Sequence, residues 1–516
     1  MEEKDSGPLR LLILGIPIDD VSTYGAVAAI QQMIARYHED RRPRYVSTVN
    51  SDFLANALGW RSTHVRDPEL LQTLRTSDLT TADGMPLVWL SRWLSPSLAE
   101  RVTGADLVLR LASSLAAKKM SVYLLGGTEA VAQGAAHKLE SSFSDLRITG
   151  VASPYLDIHG LELENSLERD ALLLEQINAA SPDVLLINLG NPKQELWFDR
   201  VKHQLKVPVS IGVGGTFSFL AGTLKRAPAW MQKYGLEWLY RLQQEPRRLL
   251  YRYVVDIAKF FYMAIPLVIY HRLNDWIYRL FPLREDALQY DKLFISPHKT
   301  VVTIGLPFSI DKSVVPSLFR RIDDAFDHDD LIFDFSRCRR VDLTGLALLA
   351  ETWMRASREK KEVYGVGMRG DLRLLIKLHR IWDLLRHNQY AKPVEIVSRF
   401  LTDNNHSPLY EAVYQEKGFV VLSFLGRLDN HQDYEQYYEK YATFLHLKHC
   451  IVDLGYCTYI DNLGITFLMK LRKQLIYEGK TLRLAALSPE LHRQFTLAGV
   501  SSLFAIYRTL EEAIRG

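Results

Sequence analysis

Along the first half of the chain, short apolar runs alternate with amphipathic stretches. LRLLILGIPI (9–18) reads as a strand, and Val21 to Tyr37 as an amphipathic helix. YVSTVN (45–50) ends as a strand, and SDFLANAL then opens a helix with Ser51 or Asp52 at its N-cap. SVYLLGG (121–127) predicts a strand and a glycine turn, with the helical TEAVAQGAAHKLE behind it. VLLINLG (184–190) and VPVSIGVGG (207–215) repeat the strand-to-glycine pattern. Strand, glycine turn and helix in repetition predict a parallel α/β domain with a ligand crevice at the strand C-termini.

The pattern changes from Trp238 to Pro282, where aromatic and basic residues interleave. FFYMAIPLVIY (260–270) is uncharged and contains Pro266. No window holds about 20 uncharged apolar residues, the length a spanning helix needs. The segment is expected to form an interfacial or buried helix. The last half holds an internal repeat. LIFDFSRCRRVDLTG (331–345) and CIVDLGYCTYIDNLG (450–464) align Asp334, Cys338, Asp342 and Gly345 with Asp453, Cys457, Asp461 and Gly464, each 119 residues on. TDNNHSP (402–408) is polar and turn-rich, a natural boundary between the copies. The expected domains are 1–252, a connecting or membrane-associating segment 253–287, and two repeats at 288–400 and 408–516.

Composition adds little that is decisive. At 516 residues, two to four domains are expected. Hydrophobic content of 47% and charged content of 24% are those of soluble globular protein. A net charge of +3 is too small to indicate nucleic-acid binding, and none is expected. Three cysteines without ligand spacing (Cys338, Cys450, Cys457) argue for a reducing compartment. The charged N-terminus lacks the apolar stretch of a secretory signal. The lone Asp-x-Asp, Asp327-His328-Asp329, falls in the second half and reads as a solvated turn.

Candidate chemistry gathers on the loops of the first half. Glycine turns after parallel strands bring backbone N–H groups close to an anion such as a nucleotide diphosphate, or simply turn the chain. The turns are Gly126-Gly127, Gly190-Asn191 and Gly214-Gly215. Asp83, on the turn before MPLVWLSRWL, could take a proton from a hydroxyl nucleophile or cap that helix. Asn191 and Gln194 could bond sugar hydroxyls or belong to a polar turn. Arg101 could meet a phosphate or pair with Asp106.

TxN, ADGMPLVW, ERVTGADL, LGGTEAVA, LGNPKQELW, GVGGTF, LAGTLKRAPAWM and GLEWLYRLQQEPRRLLYRY occur in one order between Leu12 and Tyr253. Together they resemble the WecG/TagA/CpsF glycosyltransferases, the N-acetylmannosaminyltransferase-like group of glycosyltransferase family 26. The resemblance implies inverting, metal-independent transfer, without a cofactor, from a UDP-sugar to a polyprenyl-diphosphate-linked saccharide. That chemistry belongs to exopolysaccharide, teichoic-acid or surface-antigen synthesis at the cytoplasmic face of the cell membrane. By the same resemblance Asp83 becomes the base, and Thr48 and Asn50 line the acceptor side. Arg101 and Gln194 would contact substrate. Gly126, Gly127, Asn191, Gly214, Gly215, Lys225 and Arg226 would hold the UDP-sugar. Arg241, Arg247, Arg248 and Arg252 match the basic tail near membrane and diphosphate. The stretch 59–79 is longer than the family's usual spacing, which would reshape the acceptor mouth.

The two repeats resemble STAS domains, each with strand-Asp-x7-Asp-x-x-Gly-helix. Regulatory STAS domains carry a phosphorylated Ser or Thr directly after the second Asp. Here those positions are Leu343 and Asn462, with Thr344 one residue off. A docking role toward a protein partner is expected rather than a phospho-switch. The fold class is therefore α/β: a Rossmann-like parallel-sheet glycosyltransferase domain, an aromatic and basic helical connector, and two STAS-like domains. Two rival functions remain. One is a non-catalytic regulatory scaffold acting through the repeats. The other, a Rossmann dehydrogenase, lacks a GxGxxG after the first strand.

Overall fold

The computed structural model describes residues 9–62, 64–154, 163–280, 291–295, 300–328, 330–385, 409–430, 432–445 and 448–516. The chain divides into two compact units. The first consists mostly of residues 1–282, and the second mostly of residues 283–516.

The first run, expected as one strand, is a hairpin of β1 (Arg10–Ile13) and β2 (Ile16–Asp19). Leu14 and Gly15 both have positive φ, 49° and 87°. Two consecutive left-handed residues make the two-residue turn whose twist matches paired strands. Leucine gives no sequence signal for that conformation, so the turn was not foreseen. Asp19 anchors the hairpin. It accepts hydrogen bonds from the Arg10 guanidinium (2.8 Å) and the Thr80 N–H (2.7 Å).

The main sheet has six strands, all parallel: β3 (Arg44–Val49), β4 (Leu79–Ala82), β5 (Ser121–Gly126), β6 (Arg147–Ala152), β7 (Val184–Asn188) and β8 (Val209–Gly212). Their order is β4-β3-β8-β7-β5-β6. The strands are apolar throughout because both faces are covered. Alternate side chains serve two cores. Val46, Leu124, Leu186 and Ile211 enter one with Ile30, Val108 and Leu111. Tyr45, Leu185 and Ile187 enter the other with Trp197 and Phe198.

The helix Ser51–Ala57 is capped by Asn50, not Ser51 or Asp52. The Asn50 side chain accepts from the Asp52 N–H at 2.9 Å. The basic segment forms one continuous helix, Pro246–Leu280, running through Pro266. It is far longer than the eleven-residue apolar run. Leu249–Ile277 has mean hydropathy 1.6, and the helix is long and apolar enough to cross a membrane by length and composition. One wall of it is buried: Phe260, Met263, Ala264 and Leu267 join a core with Phe53, Leu54, Leu87 and Leu90. The opposite wall exposes Leu250, Val254, Ile257, Phe261, Ile265, Ile269, Leu273 and Trp276, spaced by three or four residues.

The second unit contains a nine-stranded sheet. Its strands are β9 (Asp291–Ile295), β10 (Thr300–Gly305), β12 (Asp330–Asp334), β14 (Val363–Val366), β15 (Tyr410–Glu416), β16 (Phe419–Leu428), β17 (His449–Ile460), β18 (Leu482–Ala485) and β19 (Ala505–Tyr507). The short strands β11 (Ser309–Ile310) and β13 (Arg340–Val341) pair separately. The order is β14-β12-β10-β9-β15-β16-β17-β18-β19. β9 and β15 meet antiparallel at the middle, Ile295 opposite Glu411.

The residues that recur in sequence recur in contact. Asp334 accepts from the Ser336 N–H (2.9 Å), and Asp453 from the Gly455 N–H (3.0 Å). The Cys338 thiol points to the Arg340 carbonyl, and that of Cys457 to the Tyr459 carbonyl. Asp342 caps a helix through the Gly345 N–H (3.0 Å), and Asp461 does so through Gly464 (2.9 Å). Burial pushes both thiols up to about 12, so they are inert at neutral pH. Of the expected Asp-x-Asp turn, Asp327 and His328 follow the helix Val315–Ala325, and Asp329 lies outside the described residues.

Candidate active site

A cavity of about 710 Å³ opens in the first unit beyond the C-terminal ends of β3, β4, β7 and β8. Such folds collect ligands at that edge. It is lined by Thr48, Asn50, Asp83, Arg101, Asn191 and Gln194, and by Gly214, Gly215, Arg226, Arg241 and Arg252. Of the expected site residues, Gly126, Gly127, Lys225 and Arg247 do not line it. Arg247 and Lys225 are exposed, and the Arg248 side chain lies outside the described residues. Gly126 has φ +99°, and a Cβ there would stand 2.7 Å from the Asn188 carbonyl oxygen. Its glycine allows the close approach of β5 to β7. None of the described residues among 59–79 lines the cavity.

Asp83 follows β4, whose ladder continues through the Asp83 N–H to the Val49 carbonyl (2.8 Å). The next helix, Met85–Leu94, takes Gly84 as its N-cap and has no side-chain cap. Asp83 is therefore not the cap. Its carboxyl accepts from the Gly104 N–H and faces the cavity. Burial pushes it up to about 7, with Glu237 adding to the rise and Arg101 and Arg241 opposing it. A carboxyl that titrates near neutrality suits a general base, because it can hold and release a proton at working pH.

Arg101 does not pair with Asp106. It pairs with Glu237 at 3.3 Å. Asp106 instead binds Arg226 in a fork, at 2.6 and 2.9 Å, and Arg226 also stands 3.6 Å from Glu237. Glu237 thus neutralises two arginines, a contact between positions 136 residues apart that sequence alone does not announce. Arg241 differs. It stacks over Phe219 (5.2 Å), reaches to Gly215, and leaves its buried Nε without a hydrogen-bond acceptor among the described residues. Arg241 and the Gly214–Gly215 loop form the part of the cavity best fitted to an anion. Arg252 likewise has a buried Nε without an acceptor among the described residues.

Thr48 and Gln194 line the cavity with their polar atoms already engaged. The Thr48 hydroxyl donates to the Gly212 carbonyl (2.8 Å), tying β3 to β8. Gln194 accepts from the Gly214 N–H (3.1 Å) and donates to Glu195 (2.7 Å). Asn191 donates to Glu195 (3.0 Å) and accepts from Asn56 (2.8 Å). These bonds fasten Gln194 and Asn191 in place on the cavity wall. Glu195 is the hub, fully buried and also accepting from the Tyr45 hydroxyl (3.0 Å). Burial pushes it up to about 7 against these three donors. Sequence reading missed it. The one available signal was an acid beside the apolar run Leu196-Trp197-Phe198.

The first unit is a parallel α/β sheet with a near-neutral carboxyl at its C-terminal edge and an arginine there whose buried Nε has no acceptor among the described residues. Residues 11–273 match the glycosyl transferase WecG/TagA/CpsF family. With just over half of the chain matched, this protein belongs to that family. Residues 412–513 match the STAS domain. Among similar proteins is the N-acetylglucosaminyldiphosphoundecaprenol N-acetyl-beta-D-mannosaminyltransferase of Bacillus subtilis (strain 168). It is 29% identical over 231 residues, which are 45% of this chain and 82% of the relative. The enzyme of the same name from Staphylococcus aureus (strain MW2) is 26% identical over 248 residues, 48% of this chain and 89% of the relative. An anti-sigma factor antagonist from Mycobacterium paratuberculosis aligns in structure at 21% identity, covering 21% of this chain and 95% of that one, with a TM-score of 0.20.

Proposed function

We propose that this glycosyltransferase moves a hexose, N-acetylmannosamine, glucose or a related sugar, from a UDP-sugar to a polyprenyl-diphosphate-linked saccharide, with inversion and without a metal. Assignment to glycosyltransferase family 26 and to cell-envelope polysaccharide synthesis belongs to the same reading. The observation that carries it is Asp83, a carboxyl titrating near 7 on the wall of a cavity that also holds the unpaired Arg241. A sugar hydroxyl is a weak nucleophile until a base takes its proton as the new bond forms. The departing UDP gains charge, which Arg241 and the N–H groups of the Gly214–Gly215 loop are placed to meet. The relatives' names support the acceptor, since both act on N-acetylglucosaminyldiphosphoundecaprenol. The decisive test is UDP release from a panel of UDP-sugars. It should require a short-chain polyprenyl-diphosphate saccharide, and release with no sugar transferred would defeat the reading.

The proposed location is the cytoplasmic face of the membrane. The exposed apolar wall of helix Pro246–Leu280, flanked by arginines, has the composition of an interfacial anchor. Truncation is a poor test, because the other wall belongs to the core. Substituting Val254, Ile265 and Ile269 together by glutamine should cut sedimentation with anionic vesicles several-fold and leave the melting temperature unchanged. Undiminished sedimentation would remove the wall from the membrane contact.

The proposed domains are the transferase at 1–252, the long-helix segment at 253–287 and STAS-like copies at 288–400 and 408–516. The shared contacts of the two repeats support reading both as STAS-like. Thr344 is buried and its hydroxyl donates to Asp342 (2.6 Å), which leaves a kinase no exposed acceptor there. The pair is proposed to dock a protein partner.

A further inference from the structure

The cavity wall carries carboxylates besides Asp83. Asp52 on helix Ser51–Ala57 and Asp256 on helix Pro246–Leu280 both line it. Asp256 is only 6% exposed. Its carboxylate accepts no hydrogen bond from any described residue, although Arg252, Lys259 and Arg66 lie within electrostatic reach. The Lys259 ammonium is spent elsewhere, on the Ala55 carbonyl at 2.5 Å. Asp52 takes one long bond, from Asn56 at 3.4 Å. Burial, and then Asp52, push Asp256 up to about 6, so it is mostly ionised at neutral pH and presents acceptors only. A carboxylate that accepts nothing from the described residues keeps its oxygens open to whatever fills the cavity. A bound ligand can supply the donors.

The charges sort the substrates. The two carboxylates present hydrogen-bond acceptors, whereas the Arg241 end presents donors to a diphosphate. The carboxylates suit an uncharged, hydroxyl-rich group. Leu249, Ile257, Phe260 and Phe261, from the helix that carries Asp256, also line the cavity and offer apolar surface beside the acids. A sugar that arrives attached to a lipid brings both chemistries together.

We propose that Asp256, with Asp52, forms the acceptor-sugar subsite, accepting hydrogen bonds from ring hydroxyls of the lipid-linked saccharide. This rests on the transferase reading above. The full chain is compared with Asp256→Asn and Asp52→Asn, using a water-soluble polyprenyl-diphosphate N-acetylglucosamine as acceptor. Losing a hydrogen bond to a charged acceptor should raise the acceptor KM roughly 10- to 100-fold, with donor KM and UDP affinity unmoved and a melting temperature at neutral pH no lower than the native one. Acceptors lacking one ring hydroxyl should bind the native chain more weakly, with little further loss in Asp256→Asn. An unchanged acceptor KM, or a rise in donor KM alone, overturns the subsite. A second arm needs no turnover: calorimetry of the saccharide diphosphate, without its lipid, against the native chain and both variants. Binding that is lost in the variants supports the subsite even if no UDP-sugar is turned over, in which case only the transferase reading falls. No binding to the native chain overturns the subsite.

Discussion

Asp83 and Asp461 begin from the same local arrangement: a strand ends, an aspartate comes next, and a helix starts within two residues. In the second unit Asp461 sits at the N-cap, and its carboxylate accepts the Gly464 N–H. In the first unit the helix begins one residue later relative to the acid, so Gly84 is the cap and Asp83 stands outside the helix. The displacement removes the N-terminal amides that satisfy a capping carboxylate. Asp83 keeps one bond, from Gly104, and turns to a cavity whose burial raises its proton affinity. One residue of register separates an acid that holds a helix from an acid turned to the cavity.

The sharpest way to break that contrast is to neutralise each acid in turn. Asp83→Asn should lower turnover at least about 100-fold, the usual cost of losing a general base. Asp461→Asn should leave transfer at the native rate, since asparagine caps as well as aspartate. Normal turnover in Asp83→Asn would return Asp83 to a structural role. The next effect is on the nucleotide. Arg241→Gln removes an unpaired charge beside Gly215, so UDP should bind roughly 10-fold or more weakly by calorimetry, the loss expected for a hydrogen bond to a charged group.

The contrast also has a pH signature. With Asp83 as base, kcat/KM should rise with pH through a midpoint of about 7. Arg101 favours the ionised form, so Arg101→Gln should move the midpoint upward; a downward move would contradict the assignment. The sign for stability runs the other way. A carboxyl raised in the folded state stabilises most below its unfolded pKa of 3.8 and loses that contribution as pH rises through about 7. The melting temperature of Asp83→Asn should therefore exceed the native value at pH 8 and approach it in acid. The smallest effect belongs to the cap: Asp461→Ala should cost about 1 kcal/mol in denaturant unfolding of the second unit, with transfer intact.

The strand-to-glycine rhythm of the first half announced a parallel sheet and placed Asp83, Asn191 and Gly214 at its C-terminal edge. Local signals suffice there, because glycine turns and apolar runs are written in adjacent residues. The long-range partnerships were illegible. Nothing near Arg101 announces that Glu237 neutralises it, and nothing in NPKQE shows that Gln194 and Asn191 are fastened to Glu195. The extent of helix Pro246–Leu280 was hidden by Pro266, which usually ends a helix in water. Here packing of Phe260, Met263 and Leu267 holds both sides of it. The repeat was legible because duplication copies its polar contacts at fixed spacing.

The seam between β9 and β15 gives that duplication a kinetic meaning. Free edge strands present unpaired N–H and C=O groups that recruit whatever strand they meet. Here each edge finds its counterpart on the same chain, Ile295 opposite Glu411. Pairing within one chain is first order and does not depend on protein concentration. A chain cut between residues 386 and 408 would turn the same seam into a second-order encounter. Pairing would then fail on dilution, and the released edges would be open to foreign strands.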